Sequence, residues 1–277
     1  MSNPLIPMEA VILEARPETY DTTTYTLAFK DRERRTNFRF RPGQFNMLSV
    51  MGIGEAPISF SSPPRPDGTF QHTIRAVGNV TQAVARLGAG GVVGLRGPFG
   101  RGWPMEEIFG NHVLVIAGGI GLAPLRPVIE HIIANAHDYR SLTILYGART
   151  PRDLVFTADY PRWGAAPGVR LLLTVDRTDG QPWPHRTGVV PVLLEEVDLP
   201  TASTVALVCG PEVMMQFVLI DLLKRGYVPP RIYISVERRM ECGIAQCGHC
   251  FFGPKFVCKD GPVFRYSEIQ GLLGKGV

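Results

Sequence analysis

The chain has 277 residues, a formal net charge of +4 at pH 7 and 45% apolar residues. At roughly 100–200 residues per domain, this length predicts two domains and a small appendage. No apolar run reaches the ~20 residues needed to span a bilayer. The N-terminal sequence lacks the basic and apolar regions of a signal peptide, so we expect a cytoplasmic protein. The basic residues are scattered, which argues against a nucleic-acid-binding surface.

The first part of the chain predicts short strands separated by Pro- and Gly-rich turns. The β-rich segments read MEAVILEA, TTTYTLAF, FNMLSV, QHTIRAV and GVVGLRG. This spacing predicts a small antiparallel barrel or sandwich over residues 1–104. One short helix is expected within it, with Thr81 as its N-cap and with Ala83, Val84 and Leu87 facing inward.

Residues 105–236 predict a repeated pattern of strand, turn and helix. The apolar strands read HVLVIA, LTILYG, VRLLLTV, TVALVCG and RIYISVE. Continuous apolar runs are typical of a parallel sheet buried on both faces, so this part is predicted to be a doubly wound α/β domain. The remaining residues, 237–277, are too few for a core of their own. We expect a metal centre to help hold them.

Two turns of the α/β domain are candidate ligand-binding sites. Gly118, Gly119 and Gly121 lie between a buried strand and a helix, where backbone amides are able to bind a pyrophosphate. The spacing differs from GxGxxG, and a tight turn without a ligand is the alternative. A second strand ends at Cys209-Gly210-Pro211. Cys209 there is either a nicotinamide contact or a small buried hydrophobe.

In the barrel half, the segment VGNVT is a second candidate phosphate site, because it places backbone amides at the start of a short helix. Arg75, just before it, would add a fixed positive charge. A surface arginine and an ordinary turn are the alternatives.

Four of the five cysteines lie within seventeen residues: Cys242, Cys247, Cys250 and Cys258, spaced C-x4-C-x2-C-x7-C. In a reducing compartment, clustered thiols hold metals or redox groups more often than they form disulfides. A zinc ribbon has two C-x2-C knuckles, whereas this segment has one. The spacing matches the plant-type pattern for a 2Fe–2S cluster. Structural zinc, a mixed site with His249 and disulfides are the alternatives.

The order of these motifs resembles the ferredoxin–NADP reductase superfamily. RPGQF and a P-x-S turn precede GGIGLAP, YGAR, CGP and the cysteines. The segment ERRMECGIAQCGHC is most similar to electron-transfer subunits that carry FAD and a C-terminal 2Fe–2S cluster. These include the gamma subunit of cytosolic nickel–iron hydrogenases (sulfhydrogenases) and the electron-transfer subunits of anaerobic sulfite reductase and of dihydroorotate dehydrogenase. GEAPISFSSPP and RGPFGRGWP favour the hydrogenase-gamma branch.

The resemblance implies which barrel residues bind FAD. The flavin motif falls on Ala56-Pro57-Ile58-Ser59, which places Ser59 near flavin N5 with a catalytic role. The other residues implied to contact FAD are Pro57, Ile58, Arg75, Gly78, Val80 and Thr81. The usual arginine and aromatic of the motif are Ala56 and Ile58 here, which removes a charge and a stacking ring. Arg75 is a candidate substitute for that charge.

The resemblance also implies a site for NAD or NADP. The pyrophosphate would contact Gly119, Ile120, Gly121 and Pro124, and the adenosine ribose would lie toward Arg149, Asp176 and Arg177. The nicotinamide would approach Cys209, in a catalytic role, together with Gly210, Pro211 and Met214. The arginines suit a 2′-phosphate and Asp176 suits a free ribose hydroxyl, so both nucleotides stay open.

The predicted function is electron transfer between a pyridine nucleotide, FAD and a 2Fe–2S cluster, to or from iron–sulfur and catalytic subunits of a nickel–iron hydrogenase. A flavin converts between a two-electron hydride and the single electrons of the cluster. The sulfite reductase and dihydroorotate dehydrogenase subunits are alternatives of the same class. A zinc-stabilised, non-catalytic binding module on a reductase fold is an alternative of another class. No motif for hydrolytic chemistry is present.

Overall fold

The computed structural model describes residues 3–273, which form two compact units. The first unit consists of the chain up to Gly102 together with Glu237–Pro262. The second consists of Trp103–Val236 and the chain from Val263 onward. The C-terminal segment is therefore divided between the two units at Pro262. None of the helices in this part of the chain combines the length and hydropathy needed to cross a bilayer.

The strands and helices follow in chain order. The strands are β1 (Met8–Pro17), β2 (Thr22–Phe29), β3 (Phe45–Val50), β4 (Gly54–Ser59), β5 (Phe70–Arg75), β6 (Val92–Phe99), β7 (His112–Gly118), β8 (Ser141–Ala148), β9 (Val169–Val175), β10 (Arg186–Thr187), β11 (Thr204–Cys209), β12 (Ile232–Ser235), β13 (Phe251–Phe252), β14 (Lys255–Phe256) and β15 (Val263–Arg265). The helices are α1 (Arg32–Asn37), α2 (Asn79–Leu87), α3 (Met105–Ile108), α4 (Leu122–Ala134), α5 (Tyr160–Ala165), α6 (Glu212–Lys224) and α7 (Val257–Asp260).

The first unit contains the predicted antiparallel barrel. Its sheet has the order β4-β3-β6-β1-β2-β5. A bridge between Phe60 and His72 joins the end of β4 to β5, and this bridge brings the two edges of the sheet together. Aromatic side chains fill the interior, where the rings of Phe40 and Phe60 stack with centroids 3.7 Å apart. Burial of these large rings supplies much of the driving force for folding the barrel.

Helix α2 differs from its prediction at its N-cap and at Leu87. Gly78, not Thr81, is the N-cap. The Thr81 hydroxyl accepts hydrogen bonds from the backbone N–H groups of Val77 and Gly78, at 3.1 and 2.9 Å. The helix starts earlier than predicted because this side chain satisfies amides that precede it. Ala83 and Val84 are buried as predicted, but Leu87 is 38% exposed, because it is the last residue of the helix.

The second unit contains the predicted doubly wound α/β domain. Its sheet has the order β10-β9-β8-β7-β11-β12-β15, and every pairing from β10 to β12 is parallel. Val115 packs in one core cluster with residues of α4, while the alternating Ile116 is also fully buried. Both faces of the sheet are thus covered, as continuous apolar strands predict.

The edge strand β15 was not predicted. It comes from the C-terminal segment and pairs antiparallel with β12, with Tyr233 opposite Arg265. The Tyr233 hydroxyl donates a hydrogen bond to Glu107, and Arg265 Nη2 donates to both oxygens of that carboxylate at 2.7 Å. Burial, with the neighbouring Glu107, raises the pKa of Tyr233. These hydrogen bonds attach β15 and its neighbour β12 to α3, near the start of the second unit.

A buried histidine in the barrel predicts lower stability in acid. His72 Nδ1 donates to the Ser59 carbonyl at 2.8 Å, its Nε2 lies 3.1 Å from Asn46 Nδ2, and burial lowers the pKa of His72 to about 4. Above pH ~6.5 the imidazole is neutral in both the folded and unfolded states. Below that pH only the unfolded state gains the proton, so His72 should lower the free energy of unfolding by about 2–3 kcal/mol between pH 7 and pH 4.5.

Urea unfolding at these two pH values tests the prediction. His72→Gln should remove most of that difference. His137→Gln changes an exposed histidine and is the control, because it should keep the pH dependence of the parent chain. If His72→Gln leaves the pH dependence unchanged, His72 is not the group responsible.

Candidate cofactor sites

The candidate nucleotide site lies at the carboxyl edge of the parallel sheet. The glycine turn follows β7 and the Cys209-Gly210-Pro211 turn follows β11, and these strands pair with Cys209 opposite Ala117. From β7 the chain proceeds to β8 on one side and later returns to β11 on the other. Ligands of open α/β sheets bind where the strand order reverses in this way. The structure therefore brings the two predicted turns together.

Glycine is required here for close contact as well as for conformation. A Cβ atom on Gly121 would lie 2.5 Å from the carbonyl oxygen of Cys209, and one on Gly210 would lie 2.7 Å from Met214 Cε. Gly119 has φ of +54° and open space around its Cβ position, so its backbone conformation alone favours glycine. Pro124 lies in the first turn of α4. The two turns therefore pack backbone against backbone.

Three predicted ribose-side residues follow the next two strands. The N–H of Asp176 donates to the Ala148 carbonyl at 3.0 Å, and the N–H of Arg177 donates to the Arg149 carbonyl at 3.1 Å. Burial raises the pKa of Asp176, partly offset by the two arginines. Arg149 and Arg177 form ion pairs with acidic neighbours on their own loops, both at 2.8 Å. The predicted ribose side therefore carries charges of both signs, which leaves the choice between NAD and NADP open.

The predicted flavin motif lies on β4. Pro57, Ile58 and Ser59 are each half-buried and pair with Met47, Asn46 and Phe45 of β3. The partly exposed, largely apolar strand suits a flat aromatic ring, and it ends at the Ser59 hydroxyl. The Ser59 backbone is fixed by the hydrogen bond from His72. The chemistry of these residues therefore fits a flavin.

The predicted phosphate-binding residues of the barrel have partners of their own. Arg75 Nε lies 2.6 Å from Asp21 Oδ2. Burial by itself would raise the pKa of Asp21. Hydrogen bonds from Arg75, Thr22 and Thr19 outweigh burial, so the pKa of Asp21 is lowered. Val80, in the first turn of α2, lies beneath Gly54 of β4. Because Arg75 is paired, it would meet a pyrophosphate as part of an ion pair rather than as an isolated charge.

The four cysteines lie in residues 242–258, the cysteine loop, whose backbone turns toward sulfur, and Cys258 at its end belongs to the short helix α7. Cys242 Sγ accepts hydrogen bonds from the N–H groups of Ile244 and Gln246, at 3.4 and 3.3 Å. Cys258 Sγ accepts from Ala245 at 3.1 Å, and Cys250 Sγ accepts from Cys258 at 3.5 Å. The residues with positive φ in this loop are Gly243 (+78°), Ala245 (+59°), Gly248 (+80°) and Gly253 (+57°). Amides directed at thiolates are typical of iron–sulfur ligation, so the donor set fits a cluster.

The thiols differ in their surroundings. Cys250 and Cys258 are buried, Cys242 is half-buried and Cys247 is exposed. Burial and the neighbouring Cys250 raise the pKa of Cys258 to about 12, whereas a backbone hydrogen bond at His249 lowers the pKa of Cys247. No disulfide forms among residues 3–273, which include every cysteine of the chain. Metal ligation must therefore displace the proton from a buried thiol.

An exposed trio provides the geometry for the mixed-ligand alternative. Ligand atoms of Glu241, Cys247 and His249 lie within 4.8 Å of one another. This trio uses only one of the four cysteines, and His249 Nδ1 faces Glu241 Oε2 at 3.4 Å. The sulfur-directed amides described above surround the cysteines instead.

Sequence reasoning missed the contacts that hold the cysteine loop on the barrel. A Cβ atom on Gly243 would lie 2.9 Å from the ring of Phe99, so the loop rests directly on that ring. Within the C-terminal segment itself, the guanidinium of Arg238 lies over the ring of Phe252, 4.6 Å from its centroid. The sequence contains no local pattern that predicts these contacts. The segment RGPFG, which includes Phe99, was singled out only because it resembles the family.

The chain matches two family models. Residues 115–219 match the oxidoreductase NAD-binding domain, and residues 237–270 match the iron–sulfur cluster binding domain of dihydroorotate dehydrogenase B. The chain is 37% identical to sulfhydrogenase 2 subunit gamma of Pyrococcus furiosus, across 98% of this chain and 99% of that relative. It is 36% identical to a probable dihydroorotate dehydrogenase B (NAD(+)) electron transfer subunit of Methanocella arvoryzae, across 97% and 95%.

Solved structures show the same fold. An NADH-dependent reduced ferredoxin-NADP oxidoreductase superposes with a TM-score of 0.72 at 24% identity, across 100% of this chain and 95% of that chain. A ferredoxin NADP+ reductase from Neisseria gonorrhoeae with bound FAD and NADP superposes with a TM-score of 0.67 at 20% identity, across 82% and 96%.

The family models define an oxidoreductase with an NAD-binding domain and an iron–sulfur segment, and its fold is that of ferredoxin–NADP reductases. The chain belongs to the family that contains the sulfhydrogenase gamma subunits and the dihydroorotate dehydrogenase B electron-transfer subunits. The family, the fold class and the cofactor set of FAD, NAD(P) and 2Fe–2S are as predicted. The individual contact residues stay predictions.

Gly121→Ala tests the nucleotide site. The added Cβ would collide with the Cys209 carbonyl and force the two turns apart. We expect at least a tenfold rise in the dissociation constant of the preferred nucleotide, measured by calorimetry, with unchanged iron content. Gly164→Ala, at a helical glycine with nothing within 4 Å, is the matched control. Equal affinity in both variants would contradict the assignment of this turn to the nucleotide.

Proposed function

We propose that the chain transfers electrons between NAD(P), FAD and a 2Fe–2S cluster, and exchanges them with the other subunits of a cytosolic nickel–iron hydrogenase. The observation that carries the proposal is the similarity to the sulfhydrogenase gamma subunit, which extends over nearly the full length of both chains. The proposal is also supported by the cysteine loop, the candidate site for the cluster, and by the two turns after β7 and β11, the candidate site for the nucleotide.

In this proposal the carboxyl edge of the second unit holds the nucleotide. The pyrophosphate is bound by Gly119, Ile120, Gly121 and Pro124; the adenosine ribose by Arg149, Asp176 and Arg177; and the nicotinamide by Cys209, Gly210, Pro211 and Met214. The support is the convergence of both turns at the point where the strand order reverses.

The barrel holds the flavin. Pro57 and Ile58 are assigned to the ring system, with the Ile58 side chain also packing against the core of the barrel, and Ser59 is assigned a position near N5. The pyrophosphate is assigned to Arg75, Gly78, Val80 and Thr81. The bound flavin supplies conversion between a two-electron hydride and single electrons. The chain's own contribution is a fixed Ser59 backbone, which is hydrogen-bonded to a histidine that burial keeps neutral.

The cysteine loop holds the cluster through Cys242, Cys247, Cys250 and Cys258. The amides directed at three of these sulfurs stabilise negative charge there and so influence the reduction potential. Cys247 is the exposed member, so this side of the site is accessible to a partner protein. The clustered thiols are in keeping with a reducing, cytoplasmic location.

A second candidate is the electron-transfer subunit of a dihydroorotate dehydrogenase. It is favoured by the iron–sulfur domain model and by relatives at 32–36% identity that are named for that complex. Purification of the chain with its native partners separates the two candidates. Co-purified nickel supports the hydrogenase, whereas an FMN-containing partner chain supports the dehydrogenase.

An anaerobic absorption spectrum, recorded before and after addition of NADH or NADPH, tests the proposed transfer. We expect flavin and 2Fe–2S bands that bleach with at least one of the nucleotides, and the faster reductant identifies the preferred cofactor. A colourless protein that contains zinc would instead support the binding-module alternative and contradict the proposal.

Cys247→Ser tests the order of transfer. Loss of one of four thiolate ligands should remove the cluster and stop reduction of the partner, while NAD(P)H still bleaches the flavin bands. His249→Gln is the control, because it changes an exposed neighbour that is not a proposed ligand and should keep the cluster. If Cys247→Ser keeps the cluster and His249→Gln loses it, the ligand set is wrong. If Cys247→Ser abolishes flavin reduction, the order is wrong.

A further inference from the structure

One arginine of the barrel is buried and uses all its donors. Arg96 on β6 is 4% exposed. Its Nε and Nη2 donate to the two carboxylate oxygens of Glu55, at 2.9 and 2.6 Å. This two-point contact is the strongest geometry available to an arginine–carboxylate pair. Glu55 precedes Ala56, the first residue of the flavin motif, on β4. Arg96 is therefore tied to the strand proposed to bind FAD.

The other donors of Arg96 reach the cysteine segment and the N-terminal segment. Nη1 donates to the carbonyl of Cys242 at 2.8 Å and to that of Pro4 at 3.2 Å, and Nη2 donates to the carbonyl of Glu241 at 3.0 Å. A guanidinium has five N–H donors, and these contacts engage all five. The guanidinium also lies 5.7 Å from the ring centroid of Phe99, on which Gly243 rests.

We propose that Arg96 is a positioning residue for the 2Fe–2S cluster, which fixes the backbone of its first ligand, Cys242, to the flavin-binding strand through Glu55. The balance of charge between Arg96 and Glu55 then adjusts the reduction potential of the cluster. This inference rests on the proposed function, since it requires the cluster, but it does not require the nucleotide or a partner protein.

Lysine cannot replace arginine in this role. An ammonium is a compact charge with three donors, whereas the contacts here need a planar group that faces a carboxylate on one side and backbone carbonyls on the other. The pair is also inaccessible to bulk solvent on the Arg96 side, where screening is weak. Removal of one partner therefore leaves the charge of the other acting on the nearby cluster.

The test is a mediated redox titration of the full-length chain with dithionite, followed by electron paramagnetic resonance of the reduced cluster. Glu55→Gln leaves the guanidinium uncompensated and should raise the midpoint potential. Arg96→Gln leaves the carboxylate uncompensated and should lower it. We expect about a tenfold change in the one-electron equilibrium for Glu55→Gln, which corresponds to about 59 mV, and a smaller change of opposite sign for Arg96→Gln, because the Glu55 side chain is 28% exposed. The double variant should return close to the parent value.

Arg96→Lys separates position from charge. It keeps the positive charge but lacks the five-donor fork, so we expect a potential near the parent value with reduced iron content and a broadened resonance signal. Arg16→Gln and Glu18→Gln change another ion pair of the barrel and should leave every readout unchanged. If Arg96→Gln does not fold, Glu55→Gln and Arg96→Lys still decide the matter.

The proposal is overturned if Glu55→Gln leaves the potential unchanged, or if it and Arg96→Gln shift the potential in the same direction. It is also overturned if Arg96→Lys matches the parent in both iron content and resonance signal. Because dithionite replaces the nucleotide, these outcomes do not depend on NAD(P)H reduction. A parent chain with no 2Fe–2S resonance would instead refute the proposed function.

Discussion

The constraint on which the cysteine segment depends is that four sulfur atoms must converge within one short loop. The backbone meets this requirement by entering the left-handed region at Gly243, Ala245 and Gly248, which turns its amides toward sulfur. A loop folded around such a centre buries few apolar side chains of its own. It is stabilised instead by the barrel, where Phe99 supports Gly243 and Arg96 binds the carbonyl of Cys242. The ligand loop and the barrel therefore form one structural unit.

The rest of the C-terminal segment is also stabilised by packing on a larger unit, but on the second unit instead of the barrel. Beyond Pro262 the chain joins the second unit, where Val263 and Phe264 are fully buried on β15 and Arg265 is bound by Glu107. The appendage therefore needs no core of its own, since one part uses the barrel and the other extends the parallel sheet. This division explains how some forty residues are held without a separate domain.

Features with a strong local signal were predictable from the sequence. β2 and β3 match the predicted segments, because each has a partly alternating pattern of apolar residues and turn residues on either side. The parallel strands were predictable from continuous apolar runs, and their shared carboxyl edge places the turns after β7 and β11 together. β4 and β15 were not predicted as strands. The first carries Pro57 and has no clear alternation, and the second is only three residues long, so both depend on tertiary pairing.

Buried polar partnerships lie beyond what a single sequence shows. Arg96 binds residues 41 and 146 positions away, and His72 binds the carbonyl of Ser59, so no local pattern identifies them. For the glycine turns the residues were visible in the sequence, but the structural reason for them was not. Gly121 and Gly210 allow the turns after β7 and β11 to approach each other, independently of any ligand. Contact between the two turns therefore accounts for Gly121 and Gly210, whereas Gly119, with open space around its Cβ position, is the glycine of the turn that stays open to the proposed nucleotide.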